Sequence, residues 1–200
     1  MKDNRSWILL AGIVLIIAAF LLLNFRVAMS NTRANQVIVT MGDHLPVAMQ
    51  RNDKIILAFV GEGPLVNALQ KALTEQMDNA GMGTIELVQE LEPAYQNPVL
   101  LVKVGRPGLV WTPFFAMSQV SIHAGYASNG DATFLEVNLD SMEETRTTVA
   151  SENSSTLNLY AKYEVNDRSF GLISRLGYRQ FLTDYLAKEL VTALKDLYDK

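Results

Sequence analysis

The chain has 200 residues, 49% hydrophobic and 19% charged, with a formal net charge of −4 and no cysteine. That balance excludes a disordered chain, whose signature is low hydrophobicity with high charge. The lack of Cys excludes a disulfide scaffold, a thiolate metal site, an Fe–S cluster and an acylated lipoprotein cysteine. An acidic chain is also a poor nucleic-acid partner, because binding there needs a basic face.

The chain opens on an apolar run, Trp7 to Leu23, WILLAGIVLIIAAFLLL. As a helix it would reach about 26 Å, or about 28 Å if extended to Phe25, against a hydrocarbon core of ~30 Å. It has no polar stripe of the kind a surface helix shows. Trp7 and Phe25 would sit near the two interfaces, with Leu23 closing the apolar run. The segment 1–30 is therefore expected to be a transmembrane signal-anchor in contact with lipid. Lys2 and Arg5 on one side and Arg26 and Arg33 on the other give little charge bias. The short leader favours a cytoplasmic N-terminus and an extracytoplasmic C-terminal part, in a single-pass membrane protein. The rival is a cleaved signal peptide with Ala28-Met29-Ser30 as the cleavage site, although the run exceeds the usual h-region.

The remainder, 31–200, carries fourteen basic and twenty acidic residues. Residues 31–36 (NTRANQ) read as a linker and 37–200 as one α+β domain. Gln36–Met41 is a short strand candidate. Lys54–Val60 (KIILAFV) is a continuous apolar run, as in a strand buried on both faces. Gly61-Glu62-Gly63-Pro64 turns the chain into a helix to about Ala80, with Pro64 in its first turn and Gly81 beyond its end. Thr84–Leu91 resumes as a strand, completing a β-α-β unit.

Pro98–Val104 is the next strand, followed by a turn-rich insert from Gly105 to Phe115. Ala116–Tyr126 and Ala132–Leu139 alternate as strands around the turn signal Asn129-Gly130. Glu144–Ser151, with three threonines, favours strand over helix. Ser155–Val165 alternates most cleanly, with Leu157, Leu159, Ala161, Tyr163 and Val165 on one face. A terminal helix is expected from Asp167 or Ser169 to nearly the end. Its apolar stripe includes Leu172, Ile173, Leu176, Leu182, Leu186 and Leu194, and Gly177 allows a bend or a close approach. The expected architecture is a two-layer domain: a mainly antiparallel sheet, β-α-β start then meander, covered on one face by two helices.

Few residues point to chemistry. His44 and His123 are the two histidines, and neither has metal-ligand spacing, so no metal and no cofactor is expected. Glu90/Glu92 and Glu143/Glu144 are paired acids, read as solvated unless two prove to share a cleft. Gly61 and Gly63 before a helix N-terminus form a candidate anion or ligand turn. Neither the dinucleotide nor the Walker spacing is present, and Glu62 would repel a phosphate. There is no G-x-S-x-G elbow.

The apolar insert is the candidate partner contact, through Leu109, Val110, Trp111, Phe114 and Phe115, since aromatic anchors mark interfaces. Its alternative is a Trp111 that closes the core. These observations predict a non-enzymatic, membrane-anchored extracytoplasmic binding or assembly module. Its place would be as an accessory subunit of a bacterial envelope complex with a protein partner and no nucleic acid. The alternatives are a small-ligand receptor with a pocket between sheet and helices, and a hydrolase using carboxylates alone.

Overall fold

The computed structural model describes residues 4–40, 54–133, 135, 139 and 159–198. Its elements in chain order are α1 (Asn4–Leu22), β1 (Arg26–Thr40), β2 (Lys54–Val60), α2 (Pro64–Asn79) and β3 (Thr84–Val88). There follow β4 (Val99–Val104), β5 (Gly108–Trp111), β6 (Phe115–Ala127), β7 (Leu159–Ile173) and α3 (Arg175–Tyr198). The strands form one seven-stranded sheet in the order β1-β7-β6-β4-β2-β3, with β5 also paired to β6.

The start of the domain is the expected β-α-β unit. β2 is buried through Ile55–Ala58, α2 follows with Pro64 in its first turn, and β3 pairs parallel to β2. β4 also pairs parallel to β2, on its other side, while β1, β5, β6 and β7 pair antiparallel. The sheet is thus mixed. Helices α2 and α3 cover one face, where Leu57, Leu69, Leu73, Val102, Tyr163 and Leu186 form the main core.

The N-terminal expectation needs correction. No helix among the described residues is long and apolar enough to cross a membrane. The apolar stretch of α1 whose side chains are described, Trp7–Leu22, is sixteen residues, about 24 Å against a ~30 Å core. It cannot be lengthened to Phe25, because helical geometry ends at Leu22 and the chain is extended from Arg26 onward. Phe25 is held instead by the domain: Ser174 donates its N–H (3.0 Å) and its hydroxyl (2.8 Å) to the Phe25 carbonyl, and the Phe25 N–H donates to Ser174 Oγ at 2.9 Å. The transmembrane signal-anchor, its lipid contact and the single-pass orientation built on it are therefore set aside. The exposed Trp7 and Leu23 keep no assigned anchoring role.

The linker expected at 31–36 is also strand. β1 runs for 15 residues and pairs with β7 along its whole length, from Arg26↔Ile173 to Thr40↔Leu159. That pairing explains why β7 continues past Val165 to Ile173 rather than yielding to a helix at Asp167 or Ser169. The true helix start is Ser174, whose Oγ accepts the Gly177 N–H at 3.0 Å, the geometry of an N-cap. A Cβ on Gly177 would lie 2.4 Å from the Phe25 carbonyl oxygen, so glycine permits this close approach.

The expected turn-rich insert is largely β5. Val104 lies opposite Ile122, and Gly108 opposite Gln119. Gly105, Arg106 and Pro107 therefore face two residues, Val120 and Ser121, in a bulge. Pro107 has no N–H for the ladder, which suits it to such a position. The extra residue changes the parity of the strand. Val110 points outward opposite Met117, while Trp111 points toward the helices opposite the buried Ala116.

Leu135 and Leu139 are helical and buried together, a four-residue helical repeat where alternating strand was expected. They cover part of the outer sheet face with Ile56, Leu101 and Tyr160. The strand expected at 144–151 lies outside the described residues, as do His44, Glu143 and Glu144.

Candidate functional site

The residues first suspected of chemistry do not converge. Among the described residues, no group of His, Asp and Glu could hold a metal ion. His123 is buried, its Nδ1 3.0 Å from the Tyr160 hydroxyl and its Nε2 3.3 Å from Ser121 Oγ. Glu90 and Glu92 are exposed beyond the end of β3. Gly61 and Gly63 both have positive φ (124° and 108°), the backbone region that suits glycine. Gly63 caps α2 without a side chain, and a Cβ on Gly61 would press on the Val104 carbonyl at 3.2 Å. A concavity of about 240 Å³ does lie between α2 and α3, but Asn24, Lys71, Arg179 and Asp184 line it and neither glycine of that turn does.

The open part of the outer sheet face is the more distinctive surface. Cross-strand registry places side chains of β1, β7, β6 and β5 in rows there. One row holds Met29, Phe170 and Phe115, and the next Asn31, Arg168, Met117 and Val110. The row after that holds Arg33, Asn166, Gln119 and Gly108. The first rows are apolar and solvent-facing: Met29 is 84% exposed, Val27 72%, Phe170 59% and Val110 50%. The Phe115 and Phe170 rings lie 5.0 Å apart, centroid to centroid. Phe20 of α1 lies 6.4 Å from Phe114, joining the exposed apolar helix to this end of the sheet. The arginine and amide rows line a concavity of about 710 Å³.

Of the insert residues, Val110 contributes directly to this face, Phe115 is half-buried against Phe170, and Phe114 is exposed on the β5–β6 turn beside Phe20. Leu109 and Trp111 have the opposite parity. Trp111 packs with Ile173, Tyr178 and Leu182, and its indole N–H donates to the Ile173 carbonyl at 3.1 Å.

Behind the same strands lies a polar network on the helix side. Asp167, 1% exposed, accepts from Thr32 Oγ1 (2.7 Å) through one oxygen, and from Ser169 Oγ (2.8 Å) and the Tyr178 hydroxyl (2.9 Å) through the other. Ser30 and Ser169 share a hydrogen bond of 2.6 Å, and Arg26 bonds Ser30 while its guanidinium lies 3.7 Å from the Phe181 ring centre. Burial pushes the Tyr178 phenol well above its ordinary range. A buried carboxylate with three hydroxyl donors is satisfied, and it ties β1, β7 and α3 together.

Sequence reasoning missed Val27, Met29, Arg33, Arg168, Phe170 and Asp167, because it placed β1 and the end of β7 in other conformations. The alternation Arg26-Ala28-Ser30-Thr32-Ala34 was a usable signal, but small and polar residues conceal a face that hydrophobicity alone would reveal.

No protein-family model matches the chain, and no curated protein matches it. Among solved structures, the chain is similar to a PelC dodecamer subunit from Paraburkholderia phytofirmans. The identity is 11% and the TM-score 0.42, over 80% of this chain and 97% of that one. A point-substituted form of that same dodecamer matches at 12% identity and a TM-score of 0.41, over 83% of this chain and 97% of that chain. A minor lipoprotein from Acinetobacter baumannii matches at 11% identity and a TM-score of 0.35, over 71% and 91%.

Proposed function

We propose that this chain is an accessory subunit of an envelope complex, a binding and assembly module with no catalysis of its own, which docks a protein partner on the open outer sheet face. The observation that carries the docking is the run of exposed Val27, Met29, Val110, Phe170 and Leu172 on one face of adjoining strands. At about 150–250 Å² for each large side chain, these exposures sum to roughly 600 Å², the upper end of what a typical monomer leaves contiguous. Apolar side chains on a rigid sheet lose little conformational freedom on docking, which favours affinity. The envelope setting rests on the sequence alone: an apolar N-terminal run ahead of an acidic, cysteine-free domain.

The test compares the full chain with Met29→Ser/Phe170→Ser; losing the Phe115–Phe170 ring pair should cost about 0.5–1.5 kcal/mol, so a thermal melt first establishes that the variant is folded. Complexes isolated gently from the native source are sized and their components identified. The variant is expected to lose the co-purifying subunit that the natural chain retains. Unchanged complex size and composition would refute the docking face.

A further inference from the structure

Arg33 and Arg168 stand out on a chain of net charge −4. Both are exposed on the outer face of adjacent strands, with Arg33 opposite Asn166 and Arg168 opposite Asn31. Among the described residues neither guanidinium has a hydrogen-bond or ion-pair partner. By contrast Lys54, Lys71 and Lys162 pair with Glu86, Glu75 and Glu164. Two unpaired like charges on neighbouring strands repel each other and add nothing to the fold. Gly108, with no side chain, leaves the end of the Arg33 row open and helps make the surface concave.

We infer that Arg33 and Arg168 form an anion-binding site that takes a carboxylate-rich segment of the docked protein partner. The inference rests on the docking face proposed above and specifies the partner's chemistry. A guanidinium presents a fork of donors that matches a carboxylate bidentately, and Asn31, Asn166 and Gln119 supply further donors around it. The site is an open sheet face, where a single small anion gains little because exposed ion pairs are worth at most about 1 kcal/mol. A polypeptide avoids that limit by reaching both arginines and the adjoining apolar row at once. A phosphate polymer is disfavoured, because two arginines on an acidic chain cannot neutralise a densely charged backbone.

The probe is a fluorescein-labelled peptide of alternating Glu and Leu, titrated onto the full chain and followed by anisotropy. Binding is expected at low salt and should weaken on addition of about 0.3 M salt, where screening is strong. Arg33→Gln/Arg168→Gln should weaken it about tenfold, the loss of two exposed pairs. A second variant, Asn31→Asp/Asn166→Asp, keeps both arginines and sets a carboxylate opposite each; it should weaken binding similarly.

Equal affinity in the natural chain and both variants, or no binding, would overturn the inference. So would an oligo-uridylate that binds as tightly as the peptide and loses as much in the same variants. The docking face is read separately through Met29→Ser/Phe170→Ser. If that variant loses the native subunit while the arginine variants keep both subunit and peptide, the face stands and the charge assignment falls.

Discussion

Tyr178 and Tyr163 offer a matched pair for testing what the buried network contributes. Both are fully buried, and both lose only a hydroxyl when changed to Phe. Tyr178 donates to the Asp167 carboxylate at 2.9 Å, whereas Tyr163 donates to the neutral Glu189 carbonyl at 3.1 Å. A hydrogen bond to a charged acceptor contributes about 1.5–3 kcal/mol and one between neutral groups about 0.5–1.5 kcal/mol. Tyr178→Phe should therefore destabilise by about 2 kcal/mol and Tyr163→Phe by about 1 kcal/mol. For a chain of this size that corresponds to a fall in Tm of roughly 4–8 °C against roughly 2–4 °C. Urea unfolding at neutral pH, with the slope checked for constancy, measures both directly. The Tyr178 loss should also shrink in an Asp167→Asn background, where the acceptor is no longer charged. Equal losses, or a larger one at Tyr163, would refute a charge-assisted network and leave Asp167 a neutral packing element.

Two further outcomes follow from the same strands. Gly171 has φ +141° and a Cβ there would lie 2.3 Å from the Val27 carbonyl, so Gly171→Ala should cost more than about 2 kcal/mol and loosen the β1–β7 ladder. Hydrogen exchange should show faster exchange in β1 than in β2. Burial raises both Tyr163 and Tyr178 above the ordinary phenol value of 10.0, with Glu189 adding to Tyr163. The folded state then holds protons that the unfolded chain releases, so the contribution of these two tyrosines should be constant below about pH 9 and stability should fall as pH rises through 10. Tyr163→Phe/Tyr178→Phe should flatten that fall in melts between about pH 8 and 11.

The parts of the fold that were legible are those where hydrophobicity alternates or runs unbroken. β2, α2 and the inner face of β7 from Ala161 to Val165 lie where their apolar residues put them. β1 was illegible because its inward positions are Arg26, Ala28, Ser30 and Thr32: Thr32 bonds the buried Asp167 carboxylate, Ser30 and Arg26 reach it through Ser169, and only the small Ala28 packs on a core. The end of β7 was misread for the same reason: Asp167 and Ser169 look like helix-start residues until their partners on β1 are known. The Leu135 and Leu139 pair suited either period, and only the sheet face beneath it decides the matter. On the candidate face, Val110 and Phe115 were found through their apolar character. Met29, Phe170, Arg33 and Arg168 come together only through strand pairing across more than a hundred residues.

The single extra residue between Val104 and Gly108 makes the hairpin's two surfaces a matter of counting. A strand that ran on from Val104 in unbroken alternation, without the bulge, would exchange the faces of Val110 and Trp111. The indole would swing onto the open face and vacate its place beside Ile173 and Tyr178. What this protein offers a partner and what it keeps for its own stability are thus divided by the length of one short segment.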